Sequence, residues 1–112
     1  MKRMNLNEYQ QLALRTAHPK DKKNEMFHLV FGLVGEAGEI AEKIKKVIRD
    51  KDSDFTDFDT VDLKKELGDI LWYVATLADY FDIKLEDIGT GNIEKLASRQ
   101  KRGVLSGSGD NR

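Results

Sequence analysis

LVFGLVGEAGEIAEKIKKVIRD, residues Leu29 to Asp50, decides the fold class of this chain. Its apolar residues recur at three- and four-residue steps, the rhythm of an α-helix with one buried face. With Glu36 as the zero of a helical wheel, Leu29, Leu33, Ile40, Ile44 and Val47 share one sector, the expected core stripe. The adjoining sector collects His28, Gly32, Glu36, Glu39, Lys43 and Lys46. Residues three apart share a helix face, so Glu36 and Glu39 form an acidic couple bordering the core.

A second segment repeats the layout. From about Val61 to Tyr80, the pattern predicts a helix with Leu63, Leu67, Ile70, Val74 and Leu77 as its apolar stripe, beside Asp62, Glu66, Asp69, Tyr73 and Tyr80. Packing the two stripes as an antiparallel pair turns Glu36, Glu39, Glu66 and Asp69 toward a common groove. Four converging carboxylates repel one another unless a cation neutralises them. Hard oxygen ligands of this kind suit Mg²⁺, or Mn²⁺ in its place.

Outward from these segments the chain reads as helix almost throughout, an all-α, four-helix-bundle-like fold. A first helix is predicted from about Asn7 to Ala17, with Asn5 or Asn7 as N-cap and Pro19 marking its end. The Leu29 helix should begin near Lys23 and persist to about Arg49, and Asp50 to Thr60 reads as a solvated connection pinned by Phe55 and Phe58. A fourth helix starts at Glu86 or Asn92 and runs to about Lys101, anchored by Ile88, Ile93 and Leu96, with Asn92, Lys95, Arg99 and Arg102 as a polar, basic stripe. Residues 1–102 thus form one helical domain, and 103–112 a Gly/Ser-rich tail without a core-forming pattern.

Composition narrows the function classes. The 112 residues contain no cysteine, as expected of one compact domain in a reducing, cytoplasmic compartment. No apolar run approaches the ~18–20 residues that span a bilayer, so no membrane association is expected. Nineteen basic and 20 acidic residues leave a net charge of −1, no global footprint for nucleic acid. Gly32, Gly35 and Gly38 each cost about 0.8–1 kcal/mol relative to alanine inside a helix. That cost implies close approach of another helix, room for a ligand, or both. Two metal patterns fail on inspection. Asp50-Lys-Asp52-Ser-Asp54 starts like a calcium loop, but Phe55 replaces the turn glycine and Val61 the closing Glu. Glu25-x-x-His28 matches one half of a di-iron bundle motif, and His18 has no Glu three residues before it to supply the other.

The stretches Gly35-Glu-Ala-Gly-Glu-Ile-Ala-Glu-Lys-Ile-Lys-Lys46 and Lys65-Glu-Leu-Gly-Asp-Ile-Leu-Trp-Tyr73 together resemble the MazG family of all-α nucleoside triphosphate pyrophosphohydrolases. The paired Glu-x-x-Glu and Glu-x-x-Asp is that family's metal signature. Asn92-Ile-Glu-Lys-Leu-Ala-Ser-Arg99 is similar to its fourth helix, and Gly107 to Arg112 to the tails of small, stand-alone phage members. The resemblance implies cleavage of a nucleoside triphosphate between its α and β phosphates, giving monophosphate and pyrophosphate. It further implies Mg²⁺ held by Glu36, Glu39, Glu66 and Asp69, with Glu39 as the chosen general base. Lys95 and Arg99 would neutralise the departing pyrophosphate, aided by Lys43, Lys46 and Arg102. Asn92 and His28 are further candidates for substrate contact, as are Gln10 and Arg15 on the first helix. Tyr73 is a candidate to stack on the base; Trp72 is another, though a large aromatic beside an apolar stripe usually serves packing. The resemblance also implies a homodimer or homotetramer. Two rival readings differ in class: a related dUTP- or dCTP-specific hydrolase, and a catalytically silent helical interaction module whose acids only solubilise it.

Overall fold

The computed structural model of the chain describes residues 3–17 and 23–112. Among them stand four helices and no strand: α1, Leu6–Leu14; α2, Glu25–Asp50; α3, Thr60–Tyr80; and α4, Leu85–Arg102. The all-α reading holds.

Local chemistry fixes three of the boundaries, the starts of α1 and α3 and the end of α4. Asn5 opens α1 through a capping box: its side chain accepts from the Glu8 amide at 2.8 Å, while the Glu8 carboxylate accepts from the Asn5 amide. Helix α1 stops at Leu14, short of the expected Ala17. Pro19, read as the stop signal, and His18 lie outside the described residues. Asp59 caps α3 by accepting from the Asp62 amide. Helix α4 closes at Gly103, whose φ of 71° lets the Val104 amide reach back to the Arg99 carbonyl at 2.9 Å.

Helix α3 is the centre of the molecule. Helix α2 lies along it and touches no other helix, while α1 and α4 pack on α3 and on each other. The small core is Ala13, Ala75 and Leu85, ringed by Tyr9, Trp72 and Val74. Gln10 holds this corner together. Its Nε2 donates to the carbonyls of Ala75 and Ile83 at 3.1 and 3.0 Å, and its Oε1 accepts from the Leu85 amide at 3.0 Å. Gln10 is thus a buried clasp rather than a substrate contact, whereas Arg15 is exposed.

Burial departs from the sequence reading on α3 and α4. Leu67, assigned to the α3 stripe, is 51% exposed; it sits at the edge of that stripe farthest round the helix from the acidic sector. Ile88, Ile93 and Leu96 do not anchor α4; all three are exposed, and Leu85 and Arg99 are its buried residues. The tail from Gly103 is ordered by arginines: Arg112 donates to the carbonyls of Val104, Leu105 and Gly109, and Arg102 to that of Arg112.

Helix α2 carries more apolar surface than α3 covers. Leu29 and Val47 are buried, but Phe27, Val30, Phe31, Val34 and Ile48 form a second, open stripe. The radius of gyration is 17.2 Å, against about 13 Å for a compact domain of this length.

Candidate metal centre

The pairing of α2 with α3 brings Glu36, Glu39 and Glu66 together, with one carboxylate oxygen of each within 4.8 Å of the others. Glu36 and Glu66 are half-buried and Glu39 is exposed. Asp69 stands slightly apart. It is exposed and shares a cleft of about 220 Å³ with Glu36, Trp72 and Tyr73. Its charge still reaches Glu36.

The electrostatics show the strain of this gathering. Desolvation, then pairing with Glu66 and the charges of Glu39 and Asp69, pushes the Glu36 carboxyl up to about 7. Glu66 likewise raises Glu39, first by the hydrogen bond that a protonated Glu39 can donate to it and then by charge. Glu66 itself is held low, chiefly by Lys43. The Lys43 ammonium donates to Glu66 Oε1 at 3.1 Å and to Asp62 Oδ2, an ion pair made between α2 and α3. Glu66 Oε2, by contrast, is buried and meets no N–H or hydroxyl donor among the described residues, so that, Lys43 apart, Glu66 can accept only from a protonated Glu36 or Glu39. An ionised oxygen in that position is costly unless a cation meets it. Three close carboxylates and one orphaned oxygen fit a hard divalent ion.

Above the acids, Gly32 gives the close approach that its cost demanded. A Cβ there would collide with the ring of Tyr73, so the missing side chain lets that ring lie against α2. Gly35 and Gly38 meet nothing among the described residues. Trp72 is committed to packing: its Nε1 donates to the Ala13 carbonyl at 3.2 Å and to Thr16 Oγ1 at 2.8 Å, and its ring meets Tyr73 edge to face. One side of Trp72 still borders the cleft beside Glu36.

The other named residues lie elsewhere. His28 and Lys46 are exposed on α2, two turns before and almost three turns after Glu36. Asn92, Lys95 and Arg99 belong to α4, which does not touch α2. Lys95 and Arg99 grip the tail: Asp110 Oδ1 accepts from Lys95 Nζ at 2.9 Å and from Arg99 Nη2 at 3.0 Å, and Arg99 also reaches the Asp110 carbonyl. Both Asp110 and the Asp62–Lys43 pair escaped the sequence reading of the site. The second had a signal, since Lys43 follows Glu39 by four residues and Asp62 precedes Glu66 by four, one turn from each couple.

Residues 26–104, covering both acidic couples and nearly all of α2 with the whole of α3 and α4, match the family model of the MazG nucleotide pyrophosphohydrolase domain. The chain belongs to the MazG family. Its acids on α2 and α3 fall within the matched MazG region. A relative, the Gene 37 protein of Mycobacterium phage L5, is 51% identical over 92 residues, 82% of this chain and 81% of that one. No solved structure matches this MazG chain.

Proposed function

We propose that this MazG chain is a Mg²⁺-dependent nucleoside triphosphate pyrophosphohydrolase that cleaves between the α and β phosphates in the cytoplasm. The observation that carries the reading is the half-satisfied Glu66 carboxylate, one oxygen on Lys43 and the other orphaned beside Glu36 and Glu39. Mn²⁺ would substitute for Mg²⁺ on the same oxygens. When bound, such an ion supplies neutralisation of the acids and of phosphate charge, and acidifies water.

The residues then divide the work. Glu36 and Glu66, half-buried on facing helices, would hold the cation together with Glu39, and Asp69 would complete the set from the cleft. Glu39, the exposed member with a raised affinity for protons, takes the proton of the attacking water. Tyr73 borders the acids and offers a ring face to the base. Lys43 is the basic residue that the fold brings to the acids. Lys95 and Arg99 meet a polyphosphate only by releasing Asp110.

Product analysis tests the reaction. With Mg²⁺ and a panel of nucleoside triphosphates, monophosphate and pyrophosphate should appear in equal amounts. Orthophosphate alone would contradict the cleavage site, no turnover would favour the silent module, and turnover of dUTP or dCTP only would mark a specific hydrolase. Glu39→Gln keeps size and removes charge; activity should fall by about 10²–10⁴-fold, the span of lost general-base catalysis, with folding intact. Full turnover in that variant removes Glu39 from the site.

A further inference from the structure

The cation reading leaves Asp62 without a role, although its carboxylate reaches the Lys43 ammonium at the site. Lys43 stands between two acids of α3 placed one helical turn apart, Asp62 on the outer side and Glu66 on the inner. An ammonium has three donors on a flexible stem, and with no second anchor it follows the strongest negative field available. That field belongs to Glu36, Glu39 and Glu66, whose oxygens crowd within 4.8 Å. Asp62 counters the pull. With Lys43 tied to Asp62, the ammonium takes only Oε1 of Glu66 and leaves Oε2, facing the other two acids, without a cationic partner.

We propose that Asp62 is a positioning residue for the cation site: it tethers the Lys43 ammonium to the outer oxygen of Glu66 and so keeps the inner oxygen open for the divalent ion. The proposal rests on the assignment of Glu36, Glu39 and Glu66 as cation ligands and adds a residue that touches neither cation nor substrate. Loss of the tether frees Lys43 to neutralise the acids itself, in competition with the incoming ion.

Mn²⁺ titration of the purified protein without nucleotide, followed by calorimetry or by loss of the free-ion resonance, tests this in a double-mutant cycle. Asp62→Asn should weaken Mn²⁺ binding by about two- to fivefold, the scale of a partly solvated ion pair. In a Lys43→Gln background the same change should have almost no effect, because the competitor is gone. Asp62→Glu, which keeps the charge, should bind as the wild type does. Equal weakening by Asp62→Asn in both backgrounds would show that Asp62 acts only through its own charge and would overturn the tether, as would an unchanged affinity in the wild-type background. The amide of residue 62 still donates to Asp59 Oδ1 in Asp62→Asn, so the α3 cap survives the test. Glu36→Gln separates the two layers: it should abolish Mn²⁺ binding. Persistence of binding there, or its absence from the wild type, would overturn the cation site and the tether together; failure of the cycle alone removes only Asp62.

Discussion

At the scale of the residue, the metal-free site is a proton store. Glu36 is pushed up to about 7 by burial and by Glu66, Glu39 and Asp69, so the folded chain keeps a proton that the unfolded chain releases near the ordinary value of 4.5. The contribution of this group to stability is therefore complete below about 4.5 and is lost as pH rises through 7. In EDTA, the melting temperature should fall between pH 5.5 and 8 from this source, and Glu36→Gln should flatten the slope. A cation must displace the same proton. Its affinity should accordingly rise by up to about tenfold per pH unit below 7 and level off above. Calorimetric Mn²⁺ titrations at pH 6, 7 and 8 check this, and a pH-independent affinity would show that Glu36 is not a ligand. The acids were legible in the sequence because helical spacing alone puts each couple on one face. The uneven role of Asp69 was not legible, because spacing gives the face and says nothing of how far two helices stand apart there.

At the scale of the element, helix boundaries could be read to within a few residues, since caps such as Asn5 and Asp59 are local chemistry. What escaped was long-range. Gln10 bonds to Leu85 across 75 positions, and Asp110 folds back on Lys95 and Arg99 from the tail; neither leaves a periodic trace. Arg99 shows the consequence. Only 5% exposed, it reads in the sequence as one of a polar, basic stripe facing substrate, while in the fold Asp110 is its partner. The glycines of α2 test the helix contact itself. Gly32→Ala gains helix propensity of about 1 kcal/mol but forces the Tyr73 ring, held edge to face by Trp72, off α2, an overpacking cost of about 1–3 kcal/mol. Gly35→Ala meets no atom and keeps the gain. Thermal unfolding should therefore place Gly32→Ala below the wild type and Gly35→Ala above it; equal stabilisation of both would mean that the ring does not lean on Gly32.

At the scale of the whole molecule, one chain leaves more surface open than its mass requires. Its accessible area of 8811 Å² exceeds the roughly 6,300 Å² of a compact monomer of this mass by an amount on the scale that an obligate interface covers. The excess has an address. Phe27, Val30, Phe31, Val34 and Ile48 line the side of α2 turned from the core, with Phe27 and Phe31 stacked on each other, and Leu67 and Ile93 add apolar surface on α3 and α4. This is also why the apolar stripes misled in part: periodicity marks residues that will be covered, and does not tell a helix of the same chain from a helix of another. We propose that α2 completes its second face against another copy, giving a homodimer or homotetramer. Phe31, 69% exposed here, decides the matter. In a monomer, Phe31→Asp is a surface change worth no more than about 0.5 kcal/mol. In an oligomer it buries a lone carboxylate in an apolar seam, a cost of several kcal/mol that the association cannot bear. Sedimentation at micromolar concentration should find the wild type as a dimer or larger and Phe31→Asp as a helical monomer; a monomeric wild type would leave the open stripe of α2 without this partner.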